Sequence, residues 1–108
     1  DFIKDEVKLL LGDTYTRIES RYSLETDYHF GGYAKYNQGL ILFMRDFFKE
    51  TNIKTDPIYT GKLFYALVDL AKKDYFKRGS TIVVVHTGGL QGIKGFEKRH
   101  DFSIFDKK

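Results

Sequence analysis

The sequence predicts an α/β fold, and three observations carry that prediction. Residues 40–48 and 63–71 each set apolar side chains three and four positions apart, the spacing of a helix with one buried face. After the second of them comes Thr81-Ile82-Val83-Val84-Val85, a largely β-branched run with no polar alternation. Such a run suits a strand buried on both sides, as in a parallel sheet flanked by helices. Helix, turn, helix, buried strand, helix is the element order of α/β proteins.

Each element follows from local chemistry. Residues 2–11 place Ile3, Val7, Leu10 and Leu11 at helical spacing, and Gly12 is a natural stop. A short strand is expected over Tyr15–Ile18, then a long loop through Phe30-Gly31-Gly32-Tyr33. A loop of that length and aromatic content in a small domain suits a function or a covering partner. Asn37 is the expected N-cap of a helix whose stripe is Leu40, Phe43, Met44, Phe47 and Phe48, ending near Glu50–Asn52. The phenylalanines of that stripe read as core.

Pro57 forbids regular helix around itself and biases Asp56 towards extended backbone. Thr60 is the expected N-cap of the next helix, with Leu63, Phe64, Leu67, Leu70 and Ala71 on its apolar face. Lys77-Arg78-Gly79-Ser80 is a turn into the strand, Gly88 and Gly89 end the strand, and a short helix is expected over residues 90–97. One or two strands cannot cover this many helices. The chain also starts at Asp1, inside a helical pattern. The expectation is a single segment, residues 1–108, of a larger protein.

Bulk composition narrows the function classes. At 108 residues the chain has room for one compact domain. Hydrophobic content of 42% and charged content of 31% are ordinary for a globular protein and speak against disorder. Aromatics at 17% point to large buried surfaces, including one meant for another domain. The net charge of +3 is small, and Glu97, Asp101 and Asp106 interrupt the basic residues of the tail, so nucleic acid is not an expected partner. The absence of cysteine excludes disulfides and thiolate chemistry and is compatible with a cytoplasmic setting. No apolar run reaches the length of a membrane span, and no signal-peptide pattern occurs. His29, His86 and His100 lack metal-ligand spacing, so no metal site is expected.

Two short motifs carry chemistry. In Tyr59-Thr60-Gly61-Lys62 a helix mouth offers free backbone N–H groups and a favourable field for an anion such as a substrate carboxylate. The Tyr59 hydroxyl beside it can orient a substrate or pass a proton. The plain alternative is that Thr60 only caps and Tyr59 only packs. In Thr87-Gly88-Gly89 a hydroxyl and open backbone stand at a strand end, where α/β folds bind ligands. An ordinary left-handed turn explains the glycine pair equally well. Neither motif has the spacing of a dinucleotide fingerprint or a phosphate-binding P-loop.

Taken together, three segments resemble one family, the pyridoxal-phosphate (PLP) enzymes related to 1-aminocyclopropane-1-carboxylate deaminase and D-cysteine desulfhydrase. Asp27-Tyr28-His29-Phe30-Gly31-Gly32-Tyr33-Ala34-Lys35 resembles the family's aromatic-glycine loop. Asp56-Pro57-Ile58-Tyr59-Thr60-Gly61-Lys62 resembles its Asp-Pro-x-Tyr-x-Gly-Lys signature, and His86-Thr87-Gly88-Gly89 its strand end. The likeness covers roughly residues 15–97. It implies a tryptophan synthase β-like fold of three α/β/α layers, with this chain as the C-terminal part of the large, PLP-binding domain.

The resemblance also assigns roles. It implies a catalytic role for Tyr59, cofactor contacts for Thr87, Thr60 and Gly88, and substrate contacts for Tyr33 and Gly61. Thr60 stands where true deaminases carry a glutamate against the pyridine nitrogen. A neutral hydroxyl there makes the ring a weaker electron sink, which suits β-elimination from a D-cysteine-like amino acid better than opening a cyclopropane. The family's cofactor-bearing lysine and Gly-rich phosphate loop have no counterpart in this chain, and Lys62 falls in the wrong part of the motif to replace that lysine. The implied partners are a small amino-acid substrate, the missing N-terminal part of the enzyme and, when complete, a second subunit in a homodimer. The 108-residue chain alone is expected to be inactive. The alternative is a non-catalytic remnant or protein-binding module that keeps only the fold segment.

Overall fold

Helices make up all the regular structure among residues 2–105, which are the residues described by the computed structural model. Helix α1 (Phe2–Leu11) runs through a 3-10 turn (Gly12–Thr14) into the short α2 (Tyr15–Ile18) and a second 3-10 turn (Glu19–Arg21). A long loop leads to α3 (Gln38–Thr51), then come α4 (Thr60–Lys72) and α5 (Gly92–His100).

Helix α3 has both expected ends. The Asn37 side chain accepts the Leu40 N–H at 2.9 Å, and Asn52 adopts the left-handed conformation (φ 63°) with its N–H on the Phe48 carbonyl. Leu40, Ile41 and Met44 are fully buried, while Phe43, Phe47 and Phe48 of the same stripe are half-buried. Ile93 and Phe96 of α5 and Ile104 and Phe105 of the tail close this core. Arg45 fastens the tail: its guanidinium donates to the Ile104 carbonyl at 2.6 Å and the Ser103 carbonyl at 2.8 Å. On the other side, α3 meets α4 through Phe43–Tyr65 and Phe47–Phe64 ring contacts at 5.3 and 4.9 Å.

The α/β expectation is not met among the described residues. Tyr15–Ile18, expected as a strand, is helical. Gly12 turns the chain at φ +54°, and the backbone then finds its hydrogen bonds locally, which a lone strand cannot do. Thr81–Val85 is not assigned to a sheet either. It has no strand partner among the described residues, and Val83 and Val85 are 83% and 66% exposed rather than buried. The apolar pattern reports what the segment is suited to; a ladder needs a second strand. The Lys77–Ser80 turn is present, closed by the Ser80 N–H on the Lys77 carbonyl, and the last helix begins and ends later than the expected 90–97.

Helix α1 leaves large apolar side chains exposed among the described residues. Leu9 and Leu10 are 77% and 83% exposed, and among the described residues the helix packs on the adjoining 3-10 turn and α2. Tyr15 is the buried residue of that subdomain, edge-on to Tyr22 at 6.3 Å. Its phenol is pushed up to about 12, first by the hydrogen bond with the Tyr22 hydroxyl and then by burial. A raised tyrosine pKa favours the folded state while both phenols are protonated, and that contribution is lost as pH climbs from about 10 towards the folded value. Tyr22→Phe is expected to bring the Tyr15 transition down towards the ordinary tyrosine value in an ultraviolet titration; an unmoved transition refutes the pairing.

Candidate functional site

The three motif segments meet at the start of α4. Asp56 organises that start, in place of the Thr60 cap expected from sequence. Its Oδ1 accepts the Ile58 and Tyr59 N–H groups at 2.9 and 2.7 Å, and its Oδ2 accepts the Thr60 N–H at 3.0 Å and the Thr60 hydroxyl at 2.7 Å. The Asp56 N–H lies 2.8 Å from Thr60 Oγ1. A charge that is 2% exposed is thereby met entirely by donors at a helix N-terminus, where the backbone field favours it. Tyr59 holds the N-cap position with no side-chain cap of its own, and Thr60 is the first helical residue, 1% exposed. The Thr60 hydroxyl is thus occupied within the loop.

Gly61 follows because nothing larger fits. Its N–H reaches the Asp56 carbonyl at 2.7 Å, and a Cβ there would lie 2.6 Å from that oxygen and 3.0 Å from Met44 Sδ. Lys62 then reaches across to the aromatic-glycine loop. Its ammonium donates to the His29 carbonyl at 2.8 Å and the Gly32 carbonyl at 3.1 Å, and lies 5.9 Å from the centre of the Phe30 ring. Burial lowers its pKa, while the Asp56 charge pulls the other way. Tyr28, at the other end of the loop, donates to Asp69 Oδ2 at 2.6 Å, and the same oxygen pairs with Lys73 at 2.9 Å. Those two hydrogen bonds hold the Asp69 carboxyl below its ordinary range.

So anchored, the loop sets the Tyr33 hydroxyl 3.3 Å from the Tyr59 hydroxyl, with the rings edge-on at 6.1 Å. Both rings are exposed, at 74% and 59%. Tyr59 donates to Tyr33, and that bond raises the Tyr59 phenol above the ordinary tyrosine value. The pair stands between two shallow clefts. Tyr33 lines one with Ile58, Phe96 and Arg99, and Tyr59 lines the other with Tyr28, His29 and Lys62.

The third motif arrives from the extended segment. His86 Nε2 lies 2.9 Å from the Lys54 carbonyl and its Nδ1 accepts the Gly88 N–H at 3.0 Å. Those two partners assign the Nε2–H tautomer. Gly88 and Gly89 have φ of +89° and +81°, and a Cβ on Gly89 would come within 3.2 Å of Asp56 Oδ2. Thr87 is exposed, and a Cβ on Gly88 would face open space.

The sequence-predicted residues Tyr33, Tyr59, Thr60 and Gly61 therefore gather around one helix mouth, with the Gly88–Gly89 turn against its carboxylate. Sequence reasoning assigned no such role to the residues that do the gathering: Asp56, Lys62 and His86. A usable signal was present for the first. Asp-Pro with a threonine four residues on is a turn-and-cap pattern, because an aspartate side chain readily takes the N–H groups that follow it. Neighbouring Thr55 is fully buried, and its hydroxyl has no partner among the described residues. Thr55→Val is expected to leave thermal stability unchanged or to raise it by up to about 1 kcal/mol. A clear loss would mean that the hydroxyl is satisfied in solution.

Comparison with known proteins places the chain in a family. A protein of Pyrococcus horikoshii, provisionally named a 1-aminocyclopropane-1-carboxylate deaminase, is 40% identical over 92 residues, 85% of this chain and 26% of its own length. The 1-aminocyclopropane-1-carboxylate deaminase of Cyberlindnera saturnus is 33% identical over 75 residues, 69% of this chain and 22% of its own length. The chain is homologous to a segment of the 1-aminocyclopropane-1-carboxylate deaminases. A further deaminase of that name, from Rhizobium rhizogenes, is 45% identical over 42 residues, 39% of this chain. The chain thus spans about a quarter of the length of the deaminase relatives that it matches over most of its own sequence. No protein-family model matches it, and no solved structure matches it at a significant level. Among the described residues there is no cluster of metal-ligating side chains, and no helix is long and apolar enough to cross a membrane.

Proposed function

We propose that this chain is the C-terminal part of the large domain of a PLP-dependent, tryptophan synthase β-like enzyme, and that it builds one wall of a site for a small amino acid. The observation that carries this reading is the meeting of the Tyr33 and Tyr59 hydroxyls, 3.3 Å apart, at the mouth of α4, with Gly89 facing the Asp56 carboxylate beneath them. PLP, when bound, supplies the electron sink for breaking bonds at the amino-acid α-carbon. Of the residues assigned to it, Thr87 fits as an exposed hydroxyl and Gly88 as a position with free space where a side chain would be, its N–H held by His86, whereas the Thr60 hydroxyl is closed inside the Asp56 network. Thr60 then acts as a support for the wall. Tyr59, exposed and hydrogen-bonded to Tyr33, orients the substrate or holds a proton at its hydroxyl. Lys62 is committed to two loop carbonyls, so the covalent attachment of the cofactor falls to the remainder of a longer polypeptide.

Between the family's two chemistries, the lack of a carboxylate at position 60 and the neutral, exposed hydroxyl of Thr87 favour β-elimination from a D-cysteine-like amino acid over ring opening. The test is to supply the complete polypeptide, with PLP, with D-cysteine and with 1-aminocyclopropane-1-carboxylate. Faster sulfide release from the first is the expected result, and equal or faster ammonia release from the second overturns the assignment. Turnover of neither substrate would favour the alternative, a non-catalytic remnant or binding module. A homodimer and a cytoplasmic setting belong to the enzyme reading and stand or fall with it.

A further inference from the structure

We infer that Asp56 is a positioning residue, one buried carboxylate that fixes the place of both Tyr59 and the Thr87–Gly89 turn. Its two oxygens face different halves of the site. Oδ1 takes the Ile58 and Tyr59 N–H groups, and so sets the backbone from which the Tyr59 ring projects towards Tyr33. Oδ2 takes both donors of Thr60 and faces Gly89, where a side-chain Cβ would come within 3.2 Å of it. Gly89 can come that near because it has no Cβ and sits at φ +81°, where other residues are strained. No cation neutralises the carboxylate among the described contacts; three N–H groups and one hydroxyl do so instead. A group held by that many short bonds has one position, and what leans on it inherits that position.

The significance of this inference rests on Tyr59 and Thr87 being site residues, but its test does not. The chain is labelled for tyrosine and glycine NMR, and wild type is compared with Asp56→Asn and Asp56→Ala. In Asp56→Ala the Tyr33–Tyr59 inter-ring cross-peak is expected to vanish and the raised Tyr59 titration to return towards the ordinary value. The Gly88 and Gly89 amide signals shift, while the Tyr28 titration, governed by Asp69, stays as in wild type. Asparagine keeps the shape but replaces one oxygen with an amide donor, so one half of the site moves and the other stays. It supplies the test if the alanine variant does not fold. Unmoved Tyr59 and Gly88–Gly89 signals in a folded variant overturn the inference and leave the enzyme reading standing. Lost cross-peaks together with an inactive wild-type polypeptide overturn the enzyme reading and leave Asp56 in its positioning role.

Discussion

Tyr59→Phe, made in the complete polypeptide, is expected to lower kcat by roughly 10²–10⁴-fold, the range for removing a positioned proton-transfer group. The fold should not register the change. The ring is 59% exposed, and among the described residues its hydroxyl bonds to the exposed Tyr33 hydroxyl alone, so stability should move by no more than about 0.5 kcal/mol. Tyr33→Phe separates the two roles of that contact. It removes the acceptor that stabilises the protonated Tyr59 phenol, so the Tyr59 pKa falls and the alkaline limb of the rate profile moves to lower pH. Steady-state kinetics across pH, with thermal melts of each variant, check both statements. A Tyr59→Phe enzyme with undiminished kcat would remove Tyr59 from the chemistry.

Gly61→Ala should act on the opposite quantity. The new methyl would lie 2.6 Å from the Asp56 carbonyl and 3.0 Å from Met44 Sδ. Met44 is fully buried in the α3 core, and the carbonyl is backbone, so neither can withdraw cheaply. Overpacking of this kind costs about 1–3 kcal/mol, and this site belongs at the upper end because one clash is with the main chain. For a chain of this size that is a fall in Tm on the order of 10 °C or more. The gain in helix propensity from glycine to alanine, about 1 kcal/mol, offsets only part of it. A differential scan decides; a Tm within a degree of wild type would mean that the α4 start is looser than its hydrogen bonds imply.

What could be read from the sequence followed the range of the forces involved. Helix α3 was legible because its signals are local: an Asn37 cap and a stripe at helical spacing, with an end expected near Glu50–Asn52 and found at Thr51. The start of α4 was placed correctly but credited to the wrong side chain. Thr60 and Asp56 both suit caps, and only the folded loop shows that the carboxylate supplies the acceptor while the hydroxyl is spent on it. Thr81–Val85 went wrong for a different reason. Its composition states a preference for a two-sided core, and no second strand to pair with it is present among the described residues. The candidate site residues were named from motif resemblance, yet their convergence depends on Lys62 reaching His29 and His86 reaching Lys54, 33 and 32 positions away. Contacts of that span leave no periodic trace.

The largely exposed, unpaired stretch of Ile82–Val85 has a practical consequence. Its side chains are β-branched, Val83 is 83% exposed, and neither a charge nor a proline interrupts it. That is the composition of a segment that adds to its own kind, edge upon edge, once chains are concentrated. Lys77 and Arg78 just upstream act as gatekeepers by charge repulsion, and added salt screens them. Low ionic strength and dilution are therefore the storage conditions this chain calls for, and turbidity that rises with salt is the sign that the ribbon has found a neighbour.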